Sequence, residues 1–354
     1  MVACRMQWQK LTLVLRNPFR LSYGVSETRQ TYWLRLDKDA GWGEATLPPY
    51  YGVDFASFEA YWEKMSHAGH RLPETPAEIE EWLGEEGPAA ARAALDLALY
   101  DSIGLTHNQP LYKLLGLPFP SGLSTSFTIA IDTPDAMAEQ AAAHPEFPII
   151  KVKLGSEDDL TRLRAVRDAR PDARLRVDAN AGWTYEEALY FIRSMESLDI
   201  EMIEQPLALH EIEEMGELQK FTRIPLVADE SVRTLADIEK LAKAGVAGVN
   251  LKLMKAGGLT PTLRMLKRAR ELGLKVMLGC MVETSLGTTA MAHLCGLAEW
   301  IDLDAPLLIA NDPFEGITYD KNLRIRVPER PGLGVILKTV EAIEEEGSNH
   351  EQQH

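Results

Sequence analysis

Apolar and polar positions alternate over residues 1 to about 55 in the manner of strands. KLTLVLR and TYWLRLD are separated by the polar stretch NPFRLSYGVSETR, and a third short strand fits AGWGEA. From about 55 to 115 the apolar spacing changes to three and four residues. DFASFEAYWEKM and PAAARAALDLALYDSIG then read as helices, the second with Pro88 near its start. This first third predicts an α+β unit with a small core of its own. From about 120 onward short apolar runs alternate with helical patterns. Strands are expected at 124–130, 149–153, 174–178, 200–204, 226–229, 247–252, 274–279 and 300–304, with helices such as DDLTRLRAVRDA, TYEEALYFIRSME and TLADIEKLAKAG between them. Eight parallel strands with intervening helices close naturally into a barrel.

Nearly every one of these runs ends on a charged residue. Lys151 and Lys153 end PIIKVK, and Asp178, Glu204, Asp229 and Lys252 follow Lys153 at steps of 25, 26, 25 and 23. That spacing fits one strand, one loop and one helix, and the chemistry of such barrels sits where the strands end. Three carboxylates converging at neighbouring strand ends repel one another unless a cation lies among them. Oxygen ligands without nearby His or Cys favour Mg²⁺ over Zn²⁺. Asn180, Gln205 and Glu230 accompany the acids and suit supporting hydrogen bonds. The plainer alternative is that each acid caps the following helix.

Lys151 and Lys153, two apart on a strand, point to the same face. Two close ammonium groups lower each other's proton affinity, and a neutral lysine is a usable general base. Lys252, four strands further round, would face the same centre from the opposite side. Arg174 and Arg176 share the parity of Asp178, so at least one guanidinium is expected to point inward with an acidic partner. Asp302 and Asp304, in EWIDLDAPL, share a face of the last strand. They would either bind a cationic group of a substrate or pair with one of those arginines. His67 and His70 form an HxxH without a third ligand, and KAGGLTP and TSLG match no phosphate loop or serine nucleophile.

Composition narrows the field. The net charge of −16 leaves no basic surplus for nucleic acid or anionic membranes. Cys4, Cys280 and Cys295 are too few for a disulfide framework or zinc motif. No apolar run approaches a bilayer span and the N-terminus lacks a signal-peptide pattern, so a cytoplasmic setting is expected.

KVK, DAN, EQP, DES and NLKLMKAGG, in this order, resemble the enolase superfamily in its muconate-lactonizing subgroup. The likeness spans the chain, from GWGEA to RPGLG. The DLDAPL segment is similar to that of the dipeptide epimerases. The resemblance implies an α/β fold: a modified TIM barrel, (β/α)7β, over 119–319, under an N-terminal α+β capping domain of residues 1–118. Segment 320–345 would join the cap, and 346–354 would be a frayed tail. It implies Mg²⁺ on Asp178, Glu204 and Asp229, Lys153 and Lys252 as acid/base pair, and Lys151 polarising the substrate carboxylate. Asp302 and Asp304 would hold the ammonium of a dipeptide, with Thr128, Gly24, Tyr51 and Met281 as further substrate contacts. The expected partner is a small-molecule dipeptide, and the expected assembly a homo-oligomer.

One departure bears on specificity. Epimerases acting on Ala-Glu carry a basic residue in the first loop where this chain has Gly24; Arg20 and Arg29 are near but do not match the position. Tyr23, Tyr50 and Tyr51 suggest a roomier, more apolar pocket, and Glu27 or Asp54 would favour a basic side chain. N-succinylamino-acid racemase and o-succinylbenzoate synthase are the alternatives, although Asp302 and Asp304 would repel an acidic acyl end.

Overall fold

The alternation at the start of the chain becomes a three-stranded antiparallel sheet of β1 (Met6–Leu21), β2 (Gly24–Leu36) and β3 (Trp42–Ala45), in that order. The computed structural model describes residues 5–21, 24–48, 51–52, 54–68, 71–120 and 122–339. Tyr23, Tyr50, His70 and the tail expected to fray lie outside these residues. β1 and β2 stay paired from Met6↔Leu36 to Leu21↔Gly24, with a register shift between Val14 and Phe19. Most of the stretch expected to separate two strands is therefore itself strand, because a paired hairpin satisfies its backbone groups regardless of side-chain polarity.

Helices Phe55–His67, Pro76–Leu83 and Ala89–Thr106 follow the sheet. Trp62 packs edge-on against Tyr32 of β2, with ring centroids 5.3 Å apart. The alanine-rich helix 89–106 is buried along most of its length, and β3 comes so close that only glycine fits. A Cβ on Gly43 would lie 1.8 Å from the Ala94 carbonyl oxygen. Gly43→Ala is expected to destabilise the protein by about 3 kcal/mol or more, since backbone must move; the urea unfolding midpoint measures this.

The barrel strands are β4 (Phe127–Ile129), β5 (Ile149–Lys153), β6 (Arg174–Asp178), β7 (Ile200–Glu204), β8 (Leu226–Ala228), β9 (Gly248–Leu251), β10 (Lys275–Gly279) and β11 (Trp300–Asp302). All neighbours pair in parallel, in an unbroken ladder from β4 to β11. Side chains bridge the seam between its two ends. Thr125 Oγ1 accepts the Leu303 N–H at 2.8 Å, and Asp304 Oδ2 accepts the Thr128 N–H at 2.9 Å. Inside the barrel Met202, Val227, Met277 and Trp300 pack together below the strand ends. Arg176 also lies inside: its Nε donates to Glu201 at 2.6 Å and its Nη1 to the Ile301 carbonyl at 2.7 Å. The β6–β7 register shifts beside Arg176, and Met202 rather than Glu201 takes the paired position. Asp302 is thus not the partner of either arginine, and Arg174 meets Glu201 at the exposed end.

Cap and barrel are joined by buried carboxylates. Asp96, on helix 89–106, accepts the N–H groups of Leu259 and Thr260 that open helix Leu259–Glu271. Asp101 accepts those of Trp42 and Leu333, which ties the RPGLG segment to helix 89–106. Burial pushes Asp96 up to about 7 and Asp101 up to about 6, against these N–H groups. A carboxyl with its folded pKa raised contributes stability fully below its unfolded value, ~4, and loses that contribution as pH rises through the folded value. Asp96→Asn is therefore expected to flatten the fall of unfolding free energy between pH 4 and 7, as read by urea titrations. Among the described residues no helix is long and apolar enough to cross a membrane.

Candidate active site

Register sets the level of the site. Lys153 pairs with Asp178, and Asp178 with Glu204, so three charged side chains on adjacent strands end at one height. Asp229 and Lys252 stand one residue beyond β8 and β9. All are buried, as is Lys151. β5 and β9 lie four strands apart in the eight-stranded order, so Lys153 and Lys252 rise from opposite walls. The backbone turns left-handed two residues after Asp178, at Asn180 (φ 43°), and directly after Glu204, at Gln205 (φ 34°).

The acids and lysines form one network. Lys153 Nζ lies 2.6 Å from Asp178 Oδ2 and 3.1 Å from Asn180 Oδ1. Lys252 Nζ lies 2.8 Å from Asp229 Oδ2, while Lys255 contacts the other oxygen of the same carboxylate. Lys151 contacts Asp302 and sits 3.5 Å from Asp178 and 3.6 Å from Glu204. Asn250 Nδ2 donates to Glu204 at 2.7 Å, and Asn180 Nδ2 to Glu230 at 3.1 Å. Gln205 turns away from the acids: its Oε1 receives the N–H groups of Asp229 and Ser231, fixing the loop that carries Asp229.

Burial and neighbours pull these groups apart. Burial, then the charge of Asp178, pushes Glu204 up to about 8, and Glu230 rises to about 7 through burial and Asp229. Burial acts against Asp229 too, but Lys252 and Lys255 hold it well below the usual carboxylate range. Burial disfavours the charge on Lys151 and Lys252, yet the surrounding carboxylates outweigh it and both are raised. Lys151 was expected to be lowered by its neighbour on the strand; the acids Asp302, Glu204 and Asp178 decide its sign instead. Lys255 is lowered by its burial.

The cavity over this network is lined by Thr128, Lys151, Lys153, Asn180, Asp229, Lys252, Met281, Asp302 and Asp304, together with Arg29, Pro48, Cys280, Val282 and Leu308. Residues 135–341 match the family described as Enolase C-terminal domain-like. The L-Ala-D/L-Glu epimerase of Bacteroides thetaiotaomicron is 36% identical over 92% of this chain and 85% of its own. The chain belongs to the enolase superfamily. It is an isomerase of the epimerase and racemase kind. The hydrophobic dipeptide epimerase of Roseobacter litoralis is 34% identical over 94% of this chain and 99% of its own. The dipeptide epimerase of Cytophaga hutchinsonii, complexed with Mg and D-Ala-L-Val, superposes with a TM-score of 0.90 at 28% identity, over 96% of this chain and 97% of that one.

Does the donor set of this superfamily member suit a cation? Among the described residues no three His, Cys, Asp or Glu side chains stand as a ready-made ligand cluster. The lysines explain this, since each draws a carboxylate toward itself. Glu204 Oε2 nevertheless lies buried without a hydrogen bond, and a carboxylate oxygen so placed fits a hard cation.

Gly24 and Tyr51 are not among the residues that line this cavity, although Tyr51 stands close enough to Lys252 to favour its charge. Gly24 is exposed, with nothing within 4 Å of where a Cβ would stand. Tyr51 is half-buried beneath the Arg233 guanidinium, 4.8 Å from its ring centre. Glu27 is exposed, and Asp54 accepts the Ala56 N–H at the start of helix 55–67. Conversely, Asn250, Lys255 and Ser126 are not singled out by the sequence pattern; Cys280 counts there only against a disulfide or zinc motif, and Arg29 is set aside as not matching the Gly24 position. Asn250 and Ser126 were findable, since they share strand parity with Lys252 and Thr128. Lys255 stands one helical turn after Lys252. Cys280 qualifies the expected absence of thiols, although its Sγ turns to the Asp302 carbonyl, 3.3 Å away.

Proposed function

We propose that the protein epimerises dipeptides at the α-carbon of the C-terminal residue, by proton transfer between Lys153 and Lys252. One observation carries this reading: two buried lysines rise from opposite walls of a cavity that also holds an acidic pair, Asp302 and Asp304. An α-carbon between two such amines can lose its proton to one and gain a proton on the other face. Asp178, Glu204 and Asp229 would hold Mg²⁺. Bound there, the ion would draw charge from the substrate carboxylate and take over the counter-charge that the lysines now supply. Lys151 would face the same carboxylate, and Asp302 and Asp304 the ammonium, which fixes the dipeptide at both ends. The cap residues Arg29 and Pro48 line the cavity and would limit water there.

The test is incubation with pooled L,L-dipeptides and Mg²⁺ in D₂O, following α-deuterium by mass spectrometry. Uptake at the C-terminal residue, abolished by chelation, is the expected result. No uptake in any pool, from protein shown to bind Mg²⁺, would remove dipeptides from consideration and bring N-succinylamino acids forward.

A further inference from the structure

Two carboxyls that the proposed proton transfer does not use meet where the cap sits on the barrel. Glu44 belongs to β3 and Glu283 to the loop after β10, and they are 1% and 2% exposed. A Cβ on Gly287, in helix Ser285–Ala292, would stand 3.1 Å from an oxygen of Glu44 and 3.2 Å from one of Glu283. The donors around this point are unequally shared. Glu44 accepts the Thr284 and Gly287 N–H groups at 3.0 and 2.9 Å, and the Thr31 and Thr284 hydroxyls at 2.8 and 2.5 Å. The Ser285 N–H goes to Asp312, and the Leu286 N–H to the Thr284 hydroxyl. The N–H groups that open the helix are thus all engaged, and the Glu283 carboxyl is met by the Met281 N–H of its own loop.

We propose that Glu44 and Glu283 hold one proton between them, carried by Glu283, and that this proton seats the cap on the barrel. Four donors stabilise a carboxylate at Glu44, and a second carboxylate beside it would repel it in a site removed from water. Burial acts against charge on both groups. The bonds from Thr284, Gly287 and Thr31 restrain Glu44, whereas the charge of Glu44 pushes Glu283 further up, against the pull of the Lys252 ammonium. Lys252 faces Glu283 from the end of β9, and the Cys280 thiol faces it from the end of β10. Loss of the Glu283 proton to solvent leaves two buried carboxylates at the joint. The repulsion then falls on the Glu44 bonds to Thr284 and Gly287, which tie β3 to the barrel. Docking of the cap brings Arg29 and Pro48 to the cavity, and Cys280, Met281 and Val282, next to Glu283 in the chain, line it as well. Rising pH therefore loosens the site from two sides at once.

The experiment replaces Glu283 by Gln, which has the shape of the neutral acid and cannot ionise. A carboxyl with its folded pKa raised loses its stabilising contribution as pH rises from the unfolded value toward the folded one. The difference between the urea midpoints of Glu283→Gln and wild type should therefore widen from about pH 4 to about pH 8, by at least ~10-fold in the folding equilibrium and in favour of the variant. Hydrogen exchange of the segment holding the Thr284 and Gly287 amides, read by mass spectrometry, should show the same divergence. At neutral pH the infrared spectrum of wild type should contain the carbonyl stretch of a protonated carboxyl that Glu283→Gln lacks. In Glu44→Gln that band should titrate away at lower pH, because the opposing charge is gone. A midpoint difference that stays constant with pH, or no band lost with Glu283, would overturn the proposal. These readouts need no substrate, so neither outcome bears on the epimerase reading.

Discussion

Lys252→Ala should lower interconversion of dipeptide epimers by about 10³-fold or more, while the variant still exchanges the α-proton of one epimer with solvent. The first part follows from general acid–base catalysis, typically ~10²–10⁴-fold in rate; here one missing amine leaves one face of the α-carbon without any proton carrier. The second follows from the opposite placement of Lys153, whose reach to its own face is untouched. Lys153→Ala should show the mirror behaviour, exchanging the other epimer only. Neither change should unfold the protein. Asp229 keeps Lys255 when Lys252 is removed, and Asp178 keeps Lys151 at 3.5 Å and the Asn180 N–H at 3.0 Å when Lys153 is removed. Deuterium uptake by mass spectrometry, combined with chiral chromatography, separates exchange from inversion. Should each alanine variant exchange both epimers alike, a single base would be serving both faces.

The residues behind that prediction were legible because strand periodicity is a local property. A lysine or carboxylate at the close of an apolar run must sit at a strand end, and the steps of 23 to 26 between Lys153 and Lys252 set them around one barrel. The structure keeps β5, β6 and β7 at the expected bounds. What escaped notice depends on pairing between distant segments. The partner of Arg176 is decided by a register shift between β6 and β7, which adds one residue and has no signature in composition. The β1–β2 hairpin runs through a polar stretch because its backbone pairs, not because its side chains alternate. Arg29 reaches the site only because that hairpin is held over β10 through Glu44 and Thr284, far apart in the chain. The cap's contribution to the cavity lining thus rests on cap-to-barrel docking, which no single run of sequence displays.

Asp304→Asn should reduce kcat/KM for dipeptides by about 10²–10³-fold, and it should do so with little loss of fold. Opposite charges ~4 Å apart interact by about 4 kcal/mol at the effective dielectric of such sites, and each ~1.4 kcal/mol is a factor of ten. Asp304 is the cleaner of the two acids to change. Asp302 is committed to Lys151 and to the Ser126 hydroxyl; burial alone would raise it, but Lys151 holds it below the ordinary carboxylate range. Losing that charge would disturb Lys151 as well as the substrate. Asp304 accepts the Thr128 N–H, a bond that the carbonyl oxygen of asparagine retains. Burial and the charge of Asp302 push Asp304 up to about 6. Only its ionised form attracts an ammonium, so kcat/KM of the wild type should fall as pH drops through about 6, and Asp304→Asn should lose that inflection. An N-succinylamino acid, whose acyl end is anionic, should respond in the opposite sense and bind the variant more tightly. Unchanged dipeptide kinetics in Asp304→Asn would mean that the ammonium is held elsewhere, and the assignment of the acidic pair would have to be abandoned.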